Sequence, residues 1–313
     1  MSLAFATFSD GPPAPLPPGP PYACRHLRAW RGRSFDLPPG DPRLRAVHDG
    51  GPAPCAPWEG LVGMARWWRE HPDWMDVLDP SSPVHDDKMV ERALYLHAWA
   101  NHLPPGQRVL DLGGGVGRFT SWFLARRCSV ELVDPDLRSL RRAVTHAARQ
   151  GRGHLDVHWS TGERLPEIAP VDIALAVEVL CYAEDPAAVL ARVHRALRPG
   201  GLLLCSVEAR WGWAMAHDAA PGSIDDFFGD GVVHVPGDRW VRTYTEEELR
   251  ALLAPRFEVL EVLPSHYAFS GPFEPSAGPL DAARAIALEA RLRAHPVARP
   301  LNRAWMAVAR ARA

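Results

Sequence analysis

The chain has 313 residues, 47% hydrophobic and 23% charged, with a formal charge of -2. This is the composition of a soluble globular protein large enough for a full core, one α/β domain of about 200 residues plus additions. It argues against nucleic acid, whose binders carry a basic face, and no apolar run approaches the roughly 20 residues of a membrane span.

The N-terminus, MSLAFATFSDGPP, has neither the basic start nor the long apolar segment of an export signal, so a cytoplasmic location is expected. Cys24, Cys55, Cys128, Cys181 and Cys205 are scattered without a C-x-x-C pair, which fits reduced thiols. Cys24, His26 and Cys55 lack the spacing of metal ligands, and no metal is expected.

Residues 1–57 form a Pro/Gly-rich extension, with GPPAPLPPGPP at 11–21 too rich in proline for a helix or a sheet interior. Residues 58–104 read as a helical cap. LVGMARWWRE and DDKMVERALYLHAWANH space apolar residues such as Val90, Leu94 and Ala98 at helical intervals, with Asp86 or Asp87 as a cap, and LPPGQ ends the run. From residue 105 to 313 strand and helix signals alternate, as in a parallel sheet covered on both faces. Strands are expected near 108–112, 129–133, 155–159, 171–177 and 202–207, and helices near 117–127, 136–149 and 186–197. Thr245 and Glu248 fit a capping box for another helix. RFEVLEVL and AWMAVARA then supply the last two of seven strands. Insertions are expected at about 209–243 and about 264–300; the latter holds DAARAIALEARLRAH, a helix that would pack on the lid or form a contact in a homodimer.

LDLGGGVGRFT, residues 110–120, raises the question of a ligand. Glycines between a buried strand and a helix N-terminus expose backbone N–H groups and leave no Cβ to obstruct an approaching molecule. A triphosphate-binding loop would end in Gly-Lys-Ser/Thr, and there is no lysine here. The dinucleotide pattern G-x-G-x-x-G fails from Gly113, which meets Arg118, and from Gly115, which meets Thr120.

What is present is Gly113-x-Gly115-x-Gly117 preceded by Asp111, and VLDLGGGVGRFT resembles the first motif of class I S-adenosylmethionine-dependent methyltransferases. VELVDPD resembles the second strand of that family with its terminal acid. ERLPEIAPVDIALAVEVLCYAEDP resembles its third and fourth segments, and VLARVHRALRPGGLLLCSVE the helix, turn and fifth strand that follow. Four motifs in order, over roughly residues 107–208, are far more specific than one glycine loop. The resemblance implies a Rossmann-like fold and S-adenosyl-L-methionine as cofactor. It implies that Asp134 accepts both ribose hydroxyls, as a strand-tip carboxylate is placed to do. It implies that Asp111 faces the methionine amino group, often through water, and that Glu178 borders the methionine end. Where the family usually has an Asp for the adenine amino group, this chain has Thr161, with Glu163 as the competing candidate.

The sulfonium already activates the methyl group, so placing a nucleophile is the main task and a base is needed only where the acceptor must lose a proton. Acceptor recognition is expected in two aromatic-rich regions. One is 58–102, with Trp58, Trp67, Trp68, Trp74 and Trp99. The other is the lid after the fifth strand, with Trp211, Trp213, Trp240, Phe227 and Phe228. His217, Tyr182 and His234 are the candidate bases, in that order. The expected acceptor is a small molecule, methylated on O, N or C in a biosynthetic pathway. A non-catalytic cofactor-binding partner of another enzyme, or an enzyme using the same cofactor for other chemistry, would carry the same glycine loop.

Overall fold

The computed structural model describes residues 76–150, 153–216, 223–235, 239–267 and 281–313. The Pro-rich extension, residues 58–75 of the expected cap with four of its tryptophans, and His217 lie outside the described residues. Helix α1 (His85–Ala98) precedes the sheet. Its cap position is Val84, so Asp86 and Asp87 sit inside the first turn, where carboxylates favour the helix N-terminus electrostatically rather than by capping.

Strand β1 (Arg108–Leu112) leads through the glycine loop into the short helix α2 (Thr120–Ala125). β2 (Ser129–Asp134), α3 (Leu137–Gln150), β3 (His154–Trp159), β4 (Val171–Val177), α4 (Pro186–Ala196) and β5 (Leu197–Ala209) follow in alternation. β3, β2, β1, β4 and β5 lie side by side in that order and all run parallel. β9 (Ala304–Ala311) pairs antiparallel to β5, and β8 (Phe257–Ser265) antiparallel to β9. These are the seven expected strands.

The segment after β5 adds two more, so the sheet has nine. It forms α5 (Arg210–Ala216), α6 (Ser223–Phe228) and an antiparallel pair, β6 (Val232–Val235) with β7 (Arg239–Tyr244). β4 ends opposite Ser206, and β7 then pairs with Glu208 and Ala209. β9 holds the other edge of β5 through Glu208, so β7 takes the edge that β4 has vacated. Helix α7 (Glu246–Leu253) starts at the expected box: the Thr245 hydroxyl takes the Glu248 N–H, and the Glu248 carboxylate takes the Thr245 N–H.

Alternate residues of the central strands enter opposite cores, as a period of two requires when both faces are covered. Val109, Ile173, Leu175, Leu204 and Val308 pack with α1, α2 and α3. Leu110, Ala174, Ala176, Leu203 and Ala307 pack with α4 and α7 on the other face. Helix α8 (Ala282–Ala294) docks on α1 through Ala285 against Val90 and Leu94, and so packs on the N-terminal helix rather than on the lid. Among the described residues no helix is long and apolar enough to cross a membrane.

Candidate functional site

The carboxyl ends of β1, β2, β3 and β4 open into one cavity of about 390 Å³, within the size range of small-molecule sites and at the edge where parallel sheets bind ligands. The glycine loop forms its floor. Gly115, at φ +54°, has nothing within 4 Å of where a Cβ would stand, so the space it leaves belongs to the cavity. Gly113 and Gly114 also line it, but a Cβ on Gly113 would meet Val179 and one on Gly114 would meet Leu132 and the Asp111 carboxyl, so there glycine serves packing as well. Gly117 is not part of the wall. A Cβ there would press on Ala143, which shows a glycine needed for the approach of α3 to the loop.

Asp134 stands at the tip of β2 with both oxygens held: Oδ2 accepts the Gly115 N–H at 2.8 Å and Oδ1 the Asp136 N–H at 2.8 Å. Burial pushes its carboxyl up to about 7 despite these donors, with neighbouring Asp136 adding repulsion. Asp111, one strand over, is also buried. Thr120 donates to its Oδ2 at 2.6 Å, and burial raises it to about 6. Each carboxylate oxygen keeps a lone pair beyond these backbone and hydroxyl partners, so a ligand's donors can still be received.

Thr161 and Glu163, on the loop after β3, both reach the cavity. They differ in what they already hold. Glu163 Oε1 accepts the Glu184 N–H at 3.1 Å, whereas the Thr161 hydroxyl is buried on the wall with no hydrogen-bond partner among the described residues. An unmet buried hydroxyl costs about 1–3 kcal/mol, a cost that a ligand's polar edge would remove.

The opposite wall comes from α1 and the end of β4, and sequence reasoning missed most of it. Lys88 and Arg118 line the cavity, and both bind the buried carboxylate of Glu91, Lys88 through Nζ at 3.0 Å. Burial alone would lower the Lys88 ammonium, but Glu91 and then Glu178 more than offset it and hold it above its ordinary value. Glu91, though burial works against its charge, is held well below the usual carboxylate range by Lys88 and Arg118. Glu178 follows β4 in the left-handed region at φ +58°, a strain of about 1–2 kcal/mol for a residue other than glycine. Ser206 receives its N–H through both the backbone carbonyl and Oγ at 3.1 Å, and the fully buried Tyr95 donates to its Oε1 at 3.1 Å. The helical period of this segment singles out Val90, Leu94 and Ala98, not Tyr95. Only the fold shows that its hydroxyl reaches a residue far along the chain.

Of the three candidate bases, Tyr182 lines the cavity, at the start of the β4–α4 connection. His234 lies on β6, and only its backbone is described. The aromatic residues behave as core more than as wall. Trp99 is fully buried and stacks on Tyr95 at 5.1 Å, Trp213 packs near Phe227 at 5.9 Å, and none of these four borders the cavity. Trp211 and Phe228 are partly exposed and approach to 5.5 Å, also outside it.

Residues 86–259 match the family model described as a methyltransferase domain. Among curated proteins, the chain is 35% identical over 105 residues to a ubiquinone biosynthesis O-methyltransferase of Bradyrhizobium sp. (strain ORS 278), covering 34% of this chain and 41% of that one. It is 28% identical over 149 residues to the protein of that name from Paracidovorax citrulli, covering 46% and 58%. The chain thus spans about half the length of the curated relatives it matches. Its fold is similar to that of 1,6-didemethyltoxoflavin-N1-methyltransferase from Burkholderia thailandensis, solved with S-adenosylhomocysteine (TM-score 0.54, 23% identity, 83% of this chain and 93% of that one). It is also similar to an S-adenosylmethionine-dependent methyltransferase from Mesorhizobium loti (TM-score 0.52, 23% identity, 71% and 99%).

Proposed function

We propose that this chain, which belongs to the methyltransferase domain family, transfers a methyl group from S-adenosylmethionine to a small-molecule acceptor. The observation that carries the reading is Asp134: a strand-tip carboxylate, tied to the glycine loop through Gly115, at the edge of a cavity of cofactor size. Two further features of the wall fit the cofactor, the space beside Gly115 and the partnerless hydroxyl of Thr161.

When bound, S-adenosylmethionine supplies a methyl group made electrophilic by its positively charged sulfur. Asp134 accepts the ribose hydroxyls, and Thr161, rather than Glu163, meets the polar edge of the adenine. The loop from Gly113 to Gly115 lets the methionine part lie against bare backbone. Asp111 faces the amino group, and Lys88 supplies a cation for the carboxylate. Glu178 and Tyr182 border the end where the acceptor enters, with Tyr182 the described candidate for orienting the acceptor or taking its proton. A biosynthetic acceptor is in keeping with the names of the relatives, and a cytoplasmic setting with buried, free Cys128, Cys181 and Cys205.

Calorimetry with S-adenosylmethionine, S-adenosylhomocysteine and NAD tests the cofactor. Binding of the first two and none comparable of NAD is expected, and the reverse overturns the reading. Screening small-molecule extracts with methyl-labelled cofactor then separates an enzyme from a binding partner, since only an enzyme moves label into a product.

A further inference from the structure

We infer that Glu178 is the counter-ion of the positively charged sulfur in the bound cofactor, and that Tyr95 and Ser206 are positioning residues that hold it there. This rests on the cofactor reading above.

Four carboxylates line the cavity: Asp111, Asp134, Glu163 and Glu178. Asp134 has a backbone N–H on each oxygen, Asp111 is sunk beneath the loop with Thr120 on Oδ2, and Glu163 has taken the Glu184 N–H. Glu178 is held differently. Its backbone is turned left-handed at φ +58° by two bonds to Ser206, and its Oε1 is fixed by Tyr95, whose hydroxyl in turn lies 3.0 Å from Ser206 Oγ. The three groups close a ring of hydrogen bonds that sets the carboxylate against the cavity while its Oε2 has no partner among the described residues.

The nearby cations are committed elsewhere. Lys88 and Arg118 bind Glu91, His266 approaches the same carboxylate at 3.7 Å, and no salt bridge to Glu178 forms among the described residues. A strained, triply held acid at a ligand wall, near Lys88 and Arg118 but in no ion pair among the described residues, is arranged for a cation brought by the ligand. The methionine end of the cofactor carries two, the ammonium and the sulfonium. The ammonium is already provided for by Asp111. The sulfonium is the charge that would distinguish the methylated cofactor from its demethylated form. A carboxylate at this point therefore favours the charged cofactor over its demethylated product.

The test is calorimetry of wild type, Tyr95→Phe, Glu178→Gln and Ser206→Thr with S-adenosylmethionine and with S-adenosylhomocysteine, which differ by the methyl group and the charge. Wild type should bind the charged ligand about tenfold more tightly, the size of one charge contact. Tyr95→Phe should shrink that ratio, Glu178→Gln should bring it near one, and both should leave affinity for the homocysteine form within about threefold, which also reports that they fold. Ser206→Thr keeps a hydroxyl and should keep the ratio. Should Tyr95→Phe fail to fold, the isosteric Glu178→Gln carries the test. An unchanged ratio in Glu178→Gln overturns the inference, as does an equal loss for both ligands, which would assign the carboxylate to the shared ammonium or to structure. Failure of wild type to bind either ligand is a different result, and removes the cofactor reading together with the inference.

Discussion

The backbone N–H of Gly115 donates to Oδ2 of Asp134 at 2.8 Å, so the carboxylate at the tip of β2 fixes the glycine loop as well as lining the cavity. Replacing Asp134 by Ala removes an acceptor for charged hydrogen bonds worth about 1.5–3 kcal/mol, or roughly 10- to 150-fold in affinity. Calorimetry with S-adenosylhomocysteine should show at least a tenfold loss. Unchanged affinity would reduce Asp134 to a turn residue for Asp136.

The buried carboxylates also predict a pH dependence. In the folded chain Asp134 lies near 7, and Asp111 near 6, against an ordinary value of 3.8, and Glu208 at the end of β5 is raised to about 7, all chiefly by burial. Between about pH 4 and 7 the folded state thus holds more of these protons than the unfolded one, and linkage makes their contribution to stability fall as pH rises through that window. His266, lowered by burial, pulls in the opposite direction with a single proton. Thermal melts of the ligand-free chain should show a decline toward pH 7 that is shallower in Asp134→Asn. Ribose donors favour the ionised carboxylate, so cofactor affinity should rise up to about pH 7 and then level. A steeper decline in the Asn variant would contradict the assignment.

Neighbouring glycines should fail in different ways. Gly115→Ala meets no atom and carries only the left-handed strain of about 1–2 kcal/mol, so the chain should fold while the methyl group narrows the ligand space. Gly114→Ala would drive a Cβ into Leu132 and to 2.7 Å from the Asp111 carboxyl, which calls for a loss of about 1–3 kcal/mol from overpacking. Melting temperature and affinity, measured on both, should separate a ligand effect from a packing effect.

Thr161→Val tests the adenine side. Valine has nearly the shape of threonine and removes a hydroxyl that has no partner in the cavity wall, so the ligand-free chain should be as stable as wild type or more so. Affinity for S-adenosylhomocysteine should drop by about fivefold or more, as expected for one lost hydrogen bond of about 1 kcal/mol. If Glu163→Gln weakens binding and Thr161→Val does not, the two assignments exchange.

Once an acceptor is found, turnover of Tyr182→Phe, His217→Ala and His234→Ala assigns the proton step. All three should bind cofactor nearly as wild type does. Loss of a base lowers turnover by about 10²- to 10⁴-fold, whereas loss of a positioning contact costs about tenfold. Tyr182 is the one of the three that borders the cavity among the described residues, and the largest effect is expected there. Three rates like that of wild type would leave placement alone to drive transfer.

The sheet was legible in the sequence because its signals are local. Period-two apolar runs, a glycine loop between strand and helix, and the Thr245–Glu248 box each act within a few residues, and β1 and β4 fall where the pattern put them. The place of Asp111, Asp134 and Glu178 at strand ends beside the cavity was legible for the same reason, as each stands in or beside a short motif. What only the tertiary structure decided involves partners distant in the chain. Pattern alone left Gly117 a ligand residue, until α3 brought Ala143 against it. Thr161 and Glu163 were equal until the fold gave one a backbone partner and left the other with none. Tyr95, which no sequence signal singled out, holds Glu178 because α1 crosses the ends of β4 and β5, 83 and 111 residues further on. Hydrogen bonds over such separations leave no local periodicity, since closing the chain around them is the work of the whole core.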